Sequence, residues 1–192
     1  MFKGPFPLFR NTRVISGAAF GLVLVVLGGV ALAQQDKYAL NVPGGLAFSE
    51  FRGYERWQLV STSQTDKAVA AILANREMIE AYLAGIPDNG KPFPDGARMA
   101  KIHWIPAENE FFPDTIVPGS QHDVDFMVKD SKRFADSGGW GWAAFKYDVA
   151  TDTFTPATQS DEPPQANDAK CGFECHTIVE KRDYVFTKYA KR

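Results

Sequence analysis

The sequence predicts an α+β domain: a mainly antiparallel β-sheet with one principal helix. Two observations predict it. Only one stretch, Thr65–Leu83, carries apolar residues at a helical period over several turns. Beyond residue 96, short alternating or β-branched and aromatic segments recur between clusters of Gly, Pro and Asp, the pattern of strands and turns. No internal repeat interrupts this reading.

Taken in order, residues 34–50 read as an extended, loosely ordered lead-in, and Tyr54–Ser61 as a helical turn or a short strand. In Thr65–Leu83, Val69, Ile72, Leu73, Ile79 and Leu83 recur mostly at steps of three and four, which makes a packing helix. Thr65 or Asp66 is its expected N-cap, and Gly85 with Pro87 ends it. Pro87–Gly96 is turn chemistry. Ala97–Ile105 reads as a strand, Pro106–Ser120, with three prolines, as a long loop, and Asp123–Val128 as a second strand. Gly138–Tyr147 makes a third, a turn at Asp148–Asp152 follows, and Thr153–Thr155 returns. Ala157–Ala169, polar with Pro163-Pro164, is a loop delivering the cysteine segment, and Asp183–Thr187 is a last strand.

Alternation assigns faces. Lys101 and His103 share one face of their strand, with Ile102 and Trp104 on the other. On the next strand Val124, Phe126 and Val128 oppose Asp123, Asp125 and Met127. Read alone, Lys101 is a solvent-facing strand lysine, and His103 and His122 are hydrogen-bonded structural residues. Trp140 and Trp142 are packing residues, and Val128–Phe134 is a solvated turn.

The first 33 residues have the three-part layout of a secretory signal peptide. Lys3, Arg10 and Arg13 precede an apolar run from Val14, and Ala31-Leu32-Ala33 is a small-x-small cleavage site. The alternative is a retained membrane anchor, since the run is about the length that spans a bilayer, roughly 20 residues. Cleavage near Ala33 leaves 34–192 as a single domain, periplasmic or secreted. Losing three basic residues and no acid takes the net charge from −2 to −5, which speaks against nucleic acid as a partner.

Both cysteines lie in CGFECH, residues 171–176. The covalent haem-attachment signature is C-x-x-C-H, and here one residue is added between the cysteines. Cys175-His176 adjacency is kept, so two sulfurs and an axial imidazole could still meet one porphyrin. Two other readings stand beside it: a Cys171–Cys175 disulfide in an oxidising compartment, and a zinc site completed by His103 or His122. Only 16 residues follow His176 and none is Met, His or Cys. A sixth iron ligand would have to come from upstream, with Met78, Met99, Met127, His103 and His122 as candidates; otherwise the position is open.

Four stretches in order, ILANREMIEAYLAG, PFPDGARMAKIHW, VDFMVKDSKRFADSGGWGWAAF and CGFECHTIVEKRDYVFTKY, resemble the cytochrome P-460 family and its cytochrome c-prime-beta relatives. They cover most of residues 54–189. The resemblance implies a mainly antiparallel β domain, commonly dimeric, with one five-coordinate haem c attached near the C-terminus. It implies Cys171 and Cys175 as attachment residues and His176 as the proximal iron ligand. Lys101 falls where some members cross-link a lysine to the porphyrin, and Asp125 where hydroxylamine-oxidising members place a distal glutamate that relays protons. His103 and Phe126 are further pocket candidates. The expected function is oxidation of hydroxylamine or a related small nitrogen species, with electrons passing to an external carrier. The alternative is non-catalytic binding of nitric oxide or another diatomic ligand.

Overall fold

The computed structural model describes Gly4 and residues 34–42, 45–157 and 167–192, the side chains of 167–171 excepted. The signal-peptide or anchor segment therefore lies outside the described residues. Among those described, no helix is long and apolar enough to cross a membrane. Residues 34–192 form one compact unit.

Six strands follow one another across a single antiparallel meander: β1 (Gln58–Gln64), β2 (Val69–Ala74), β3 (Arg98–Glu108), β4 (Ile116–Lys129), β5 (Trp140–Asp148) and β6 (Thr153–Pro156). Among the described residues two α-helices accompany them, α1 (Arg76–Leu83) and α2 (Asn167–His176). The mainly antiparallel α+β class is what the alternating segments predicted.

Strand alternation gives the sheet two buried faces. One buries Ala100, Ile102, Val124, Phe126, Val128 and Phe145 beneath the N-terminal segment. That segment is not a loose lead-in. Two 3₁₀ turns, Phe48–Phe51 and Tyr54–Arg56, seat Phe48, Phe51 and Tyr54 in the core. The Phe48 ring packs edge-on to Tyr38, Tyr54, Phe126, Phe145 and Phe154 at 4.8–5.9 Å, a geometry aromatic pairs favour. Burying those rings is what orders the segment.

The other face buries Ile72, Met99, Met127, Trp140 and Trp142 against Met78, Ile79 and Tyr82 of α1 and Val185 of the C-terminal tail. The expected helix over Thr65–Leu83 is here half strand. Residues 69–74 form β2, between β1 and β3, where a near-continuous apolar run is what a strand covered on both faces needs. Asn75 makes the switch. Its Oδ1 accepts from Met78 N–H, as an N-cap does, and from Arg98 N–H, while Nδ2 donates to the Gly96 carbonyl. Thr65 caps a turn instead, its hydroxyl accepting from Lys67 and Ala68 N–H.

Two further expectations are corrected. Pro106–Ser120 is no long loop: β3 and β4 continue as a hairpin whose turn Asn109 organises by accepting from Phe111 and Phe112 N–H. Pro106 pairs with Pro118 beyond the last β2 partner, Val69 opposite Trp104, so a missing N–H leaves no ladder bond unmade there. Asp183–Thr187 is no strand, because Asp183 and Tyr184 both take left-handed backbone, φ 52° and 63°. Val128–Phe134 is only partly a solvated turn, since Val128, Lys129 and Phe134 are buried. Of the loop read at 157–169, residues 158–166 lie outside those described and 167–169 begin α2.

Candidate functional site

On the α1 side of the sheet lies a cavity of about 500 Å³ whose lining includes Ile72, Met99, Lys101, Asp125, Met127, Trp142 and His176, within the size range of cofactor pockets. Its far wall is the C-terminal tail, Val185–Lys188, and Ser61–Ser63 of β1 complete the rim. The tail is tied down where it passes: the Ala190 N–H donates to the Val60 carbonyl at 3.1 Å and the Tyr82 hydroxyl to the Thr187 carbonyl at 3.0 Å.

Strand register explains the lining. Lys101 of β3 sits opposite Asp125 of β4, and Met127 opposite Trp142 of β5. Lys101, Met99, Asp125 and Met127 therefore share one face, as their parity requires. Phe126 borders the cavity, but its ring is turned to the other core, stacked on Phe51 at 4.1 Å and 12°.

His176 reaches the cavity from the end of α2. Its ring lies 5.6 Å from that of Trp142 and 4.9 Å from Phe186. Nδ1 is 2.5 Å from the Tyr184 carbonyl oxygen. A carbonyl only accepts, so Nδ1 carries the hydrogen, and the lone pair of the neutral ring is on Nε2. Burial pushes the imidazole below its ordinary pKa, the Tyr184 bond opposes this, and the Lys101 ammonium adds to the lowering. The neutral ring is the form that ligates a metal, and a second nitrogen held by a backbone carbonyl is the usual support of such a ligand.

Helix α2 places the cysteines. Positions 171 and 175 are one turn apart on it. At about 100° and 1.5 Å per residue, C-x-x-C spacing separates two positions by about 60° around the axis. C-x-x-x-C separates them by about 40° in the other sense. The added residue thus keeps both positions on one helix face, roughly 1.5 Å further apart along the axis. Cys175 is a free, exposed thiol; the Cys171 side chain lies outside those described. The helix docks through Gly172, where a Cβ would come 2.6 Å from Trp142 Cγ.

The histidines at 103 and 122 are elsewhere. Both Nδ1 atoms donate to Asp123, His122 at 2.6 Å and His103 through a very short contact, and neither lines the cavity. Burial alone would raise the Asp123 pKa, but these bonds and the charge behind them hold it below the ordinary carboxylate value. His103 Nδ1 also lies 3.8 Å from an Asp125 oxygen. Of the upstream methionines, Met99 and Met127 line the cavity and Met78 does not. The sequence assigns no role at the site to Gly172, Tyr184 or the tail, although Asp183–Thr187 reads there as a last strand. The residues that mark this support are the glycine inside CGFECH and the Asp183-Tyr184 pair before the tail.

Among curated proteins no match is found. The family model for cytochrome P460 matches residues 51–187. That span takes in the sheet, the cavity and the CGFECH helix, so the chain belongs to the cytochrome P460 family, whose members are c-type haem proteins.

Proposed function

We propose that the cavity holds one haem c, attached through Cys171 and Cys175 with His176 as the proximal ligand, in a protein that oxidises hydroxylamine or a related small nitrogen species. The observation that carries this is the convergence of His176, Lys101 and Asp125 on one cavity from three separate elements. The donor set fits: the Tyr184 bond fixes the imidazole with Nε2 available, and positions 171 and 175 share a helix face.

When bound, the haem would supply the redox centre for removing the substrate's electrons, with an external carrier as their acceptor. The chain's own residues do the rest. His176 orients and donates. Each pair of electrons removed from hydroxylamine releases two protons, and the Asp125 carboxylate, half exposed, accepts them and passes them to water. Asp is one methylene shorter than the glutamate that hydroxylamine-oxidising members place here, so Asp125 acts on a ligand through a bridging water. Lys101 brings positive charge to the same wall and is the candidate for a porphyrin cross-link.

The second reading is a nitric oxide or diatomic-ligand binder without turnover, acting as sink, sensor or carrier. The apolar lining supplied by Ile72, Met99 and Met127 favours it, since such walls shelter an uncharged ligand from water. Export, with cleavage near Ala33, and pairing into a homodimer belong to either reading. The exposed Phe111 and Phe112 at the β3–β4 hairpin tip support the dimer.

Steady-state assays with hydroxylamine and an artificial electron acceptor decide between the readings. The enzyme reading expects turnover that falls at least tenfold in Asp125→Asn with haem content unchanged. Tight nitric oxide binding with no turnover in the wild type would overturn it. Lys101→Ala, followed by intact mass and absorption, tests the cross-link, and an unchanged spectrum removes Lys101 from the chemistry.

A further inference from the structure

The Tyr184 carbonyl that fixes His176 belongs to a turn the chain does not adopt by itself. Asp183 and Tyr184 are consecutive non-glycine residues in left-handed backbone, which persists only where the surroundings impose it. Three contacts impose it here. Asp183 Oδ1 accepts from the Lys129 ammonium at 2.6 Å, in a pair whose side chains are 7% and 12% exposed. Asp183 Oδ2 accepts from Phe93 N–H at 2.7 Å. The Tyr184 ring lies against Gly138, where a Cβ would come within 2.2 Å of it, and the Gly138 carbonyl accepts from the same Lys129 ammonium at 3.0 Å.

Resting on the haem reading above, we propose that Lys129 and Asp183 are positioning residues for His176. Their buried ion pair pins the left-handed turn, the turn aims the Tyr184 carbonyl, and the carbonyl sets the tautomer and ring direction of the imidazole. A buried ion pair is a poor means of gaining stability, because apolar residues of equal volume often do as well. What it supplies is a fixed place for one backbone oxygen, that of Tyr184, by tying the neighbouring Asp183 to Lys129 at the end of β4. Donation from Nδ1 to that oxygen makes Nε2 a stronger ligand, which favours the oxidised iron.

The test compares Asp183→Ala and Asp183→Asn with the wild type as purified holoprotein. Readouts are the iron–histidine stretching band of the ferrous state and the midpoint potential. The alanine variant loses the Lys129 and Phe93 contacts and tolerates the left-handed turn poorly. Its band should fall in frequency and its potential should rise. Asparagine still accepts from Phe93 N–H and tolerates the turn, so the same changes should be smaller. If the alanine variant does not fold, the asparagine variant decides alone. A wild-type band and potential in a folded variant with a lowered unfolding temperature would overturn the proposal, since the pair would then be structural only. Covalent haem is scored separately by the pyridine haemochrome spectrum. Its absence from the wild type would refute the haem reading, and the His176 tautomer, from ¹⁵N–¹H correlation of the same protein, would then decide. Nδ1–H in the wild type with a mixed tautomer in Asp183→Ala supports the positioning role; one tautomer in both overturns it.

Discussion

Gly172→Ala puts one methyl group where α2 meets the sheet. The added Cβ would lie 2.6 Å from Trp142 Cγ and 2.9 Å from Cβ and Cδ1, whereas ordinary contact begins at 3.4 Å. Helix α2 must retreat by about 0.8 Å, because Trp142 is a buried member of the core and a rigid ring cannot fold away. Overpacking of this kind costs roughly 1–3 kcal/mol, and alanine returns about 1 kcal/mol through its helix propensity. The net is a loss of up to about 2 kcal/mol, which for a domain of this size lowers Tm by up to about 8 °C. The site suffers more. A retreat of that size along the His176–Tyr184 bond takes it from 2.5 Å to about 3.3 Å, outside the range of good N–H···O bonds. Thermal unfolding followed by circular dichroism reads the first effect, and haem content with the ferrous spectrum reads the second. In a Trp142→Ala background only part of the cost should vanish, since the two ring contacts are gone while the 2.9 Å contact with Cβ remains. A single Gly172→Ala protein that unfolds at or above the wild-type temperature, with wild-type haem content and spectrum, would refute the reasoning.

Phe48→Ala should cost about 3–5 kcal/mol, a Tm fall of roughly 6–20 °C, because Phe48 is fully buried amid five other rings; urea unfolding measures it. The Asp95 carboxylate accepts from the Ser131 N–H and then its hydroxyl, which hold it below its ordinary value of 3.8. A lowered folded pKa gives stability that is present above the unfolded value and lost as pH falls through the folded one. Asp95→Asn should therefore flatten the acid limb below about pH 4 and leave the slope between pH 7 and 8 as in the wild type, as read by unfolding across pH. Phe111→Ser with Phe112→Ser should turn a dimer into a monomer in light scattering while the ferrous spectrum stays as in the wild type.

The strands of the second half were legible because each pairs a period of two with turn residues at its ends; parity set Lys101 apart from Ile102 and Asp125 apart from Phe126, while only the family resemblance turned the Lys101 face from solvent to a pocket. Residues 69–74 were not, because a short apolar run in the middle of a sheet fits a helix as well. Only Asn75, bonded to both β3 and α1, breaks the tie. The hairpin beyond Trp104 hid behind its prolines, which a two-stranded ribbon tolerates. Phe48 and Phe51 were passed over because the N-terminal segment has no period to read; its order comes from the rings it buries. At the site, CGFECH announced itself, but its support did not. A backbone carbonyl has no residue type, and the Lys129–Asp183 pair that aims it joins residues 54 apart in sequence.

The proposed site holds one haem, attached through both cysteines of the C-x-x-x-C-H helix. Intact-mass spectrometry of the purified protein, denatured and treated with a thiol-alkylating reagent, tests it most directly. The purified protein should carry the added mass of one haem with no alkyl group on Cys171 or Cys175. A chain without haem that takes up two alkyl groups would contradict it.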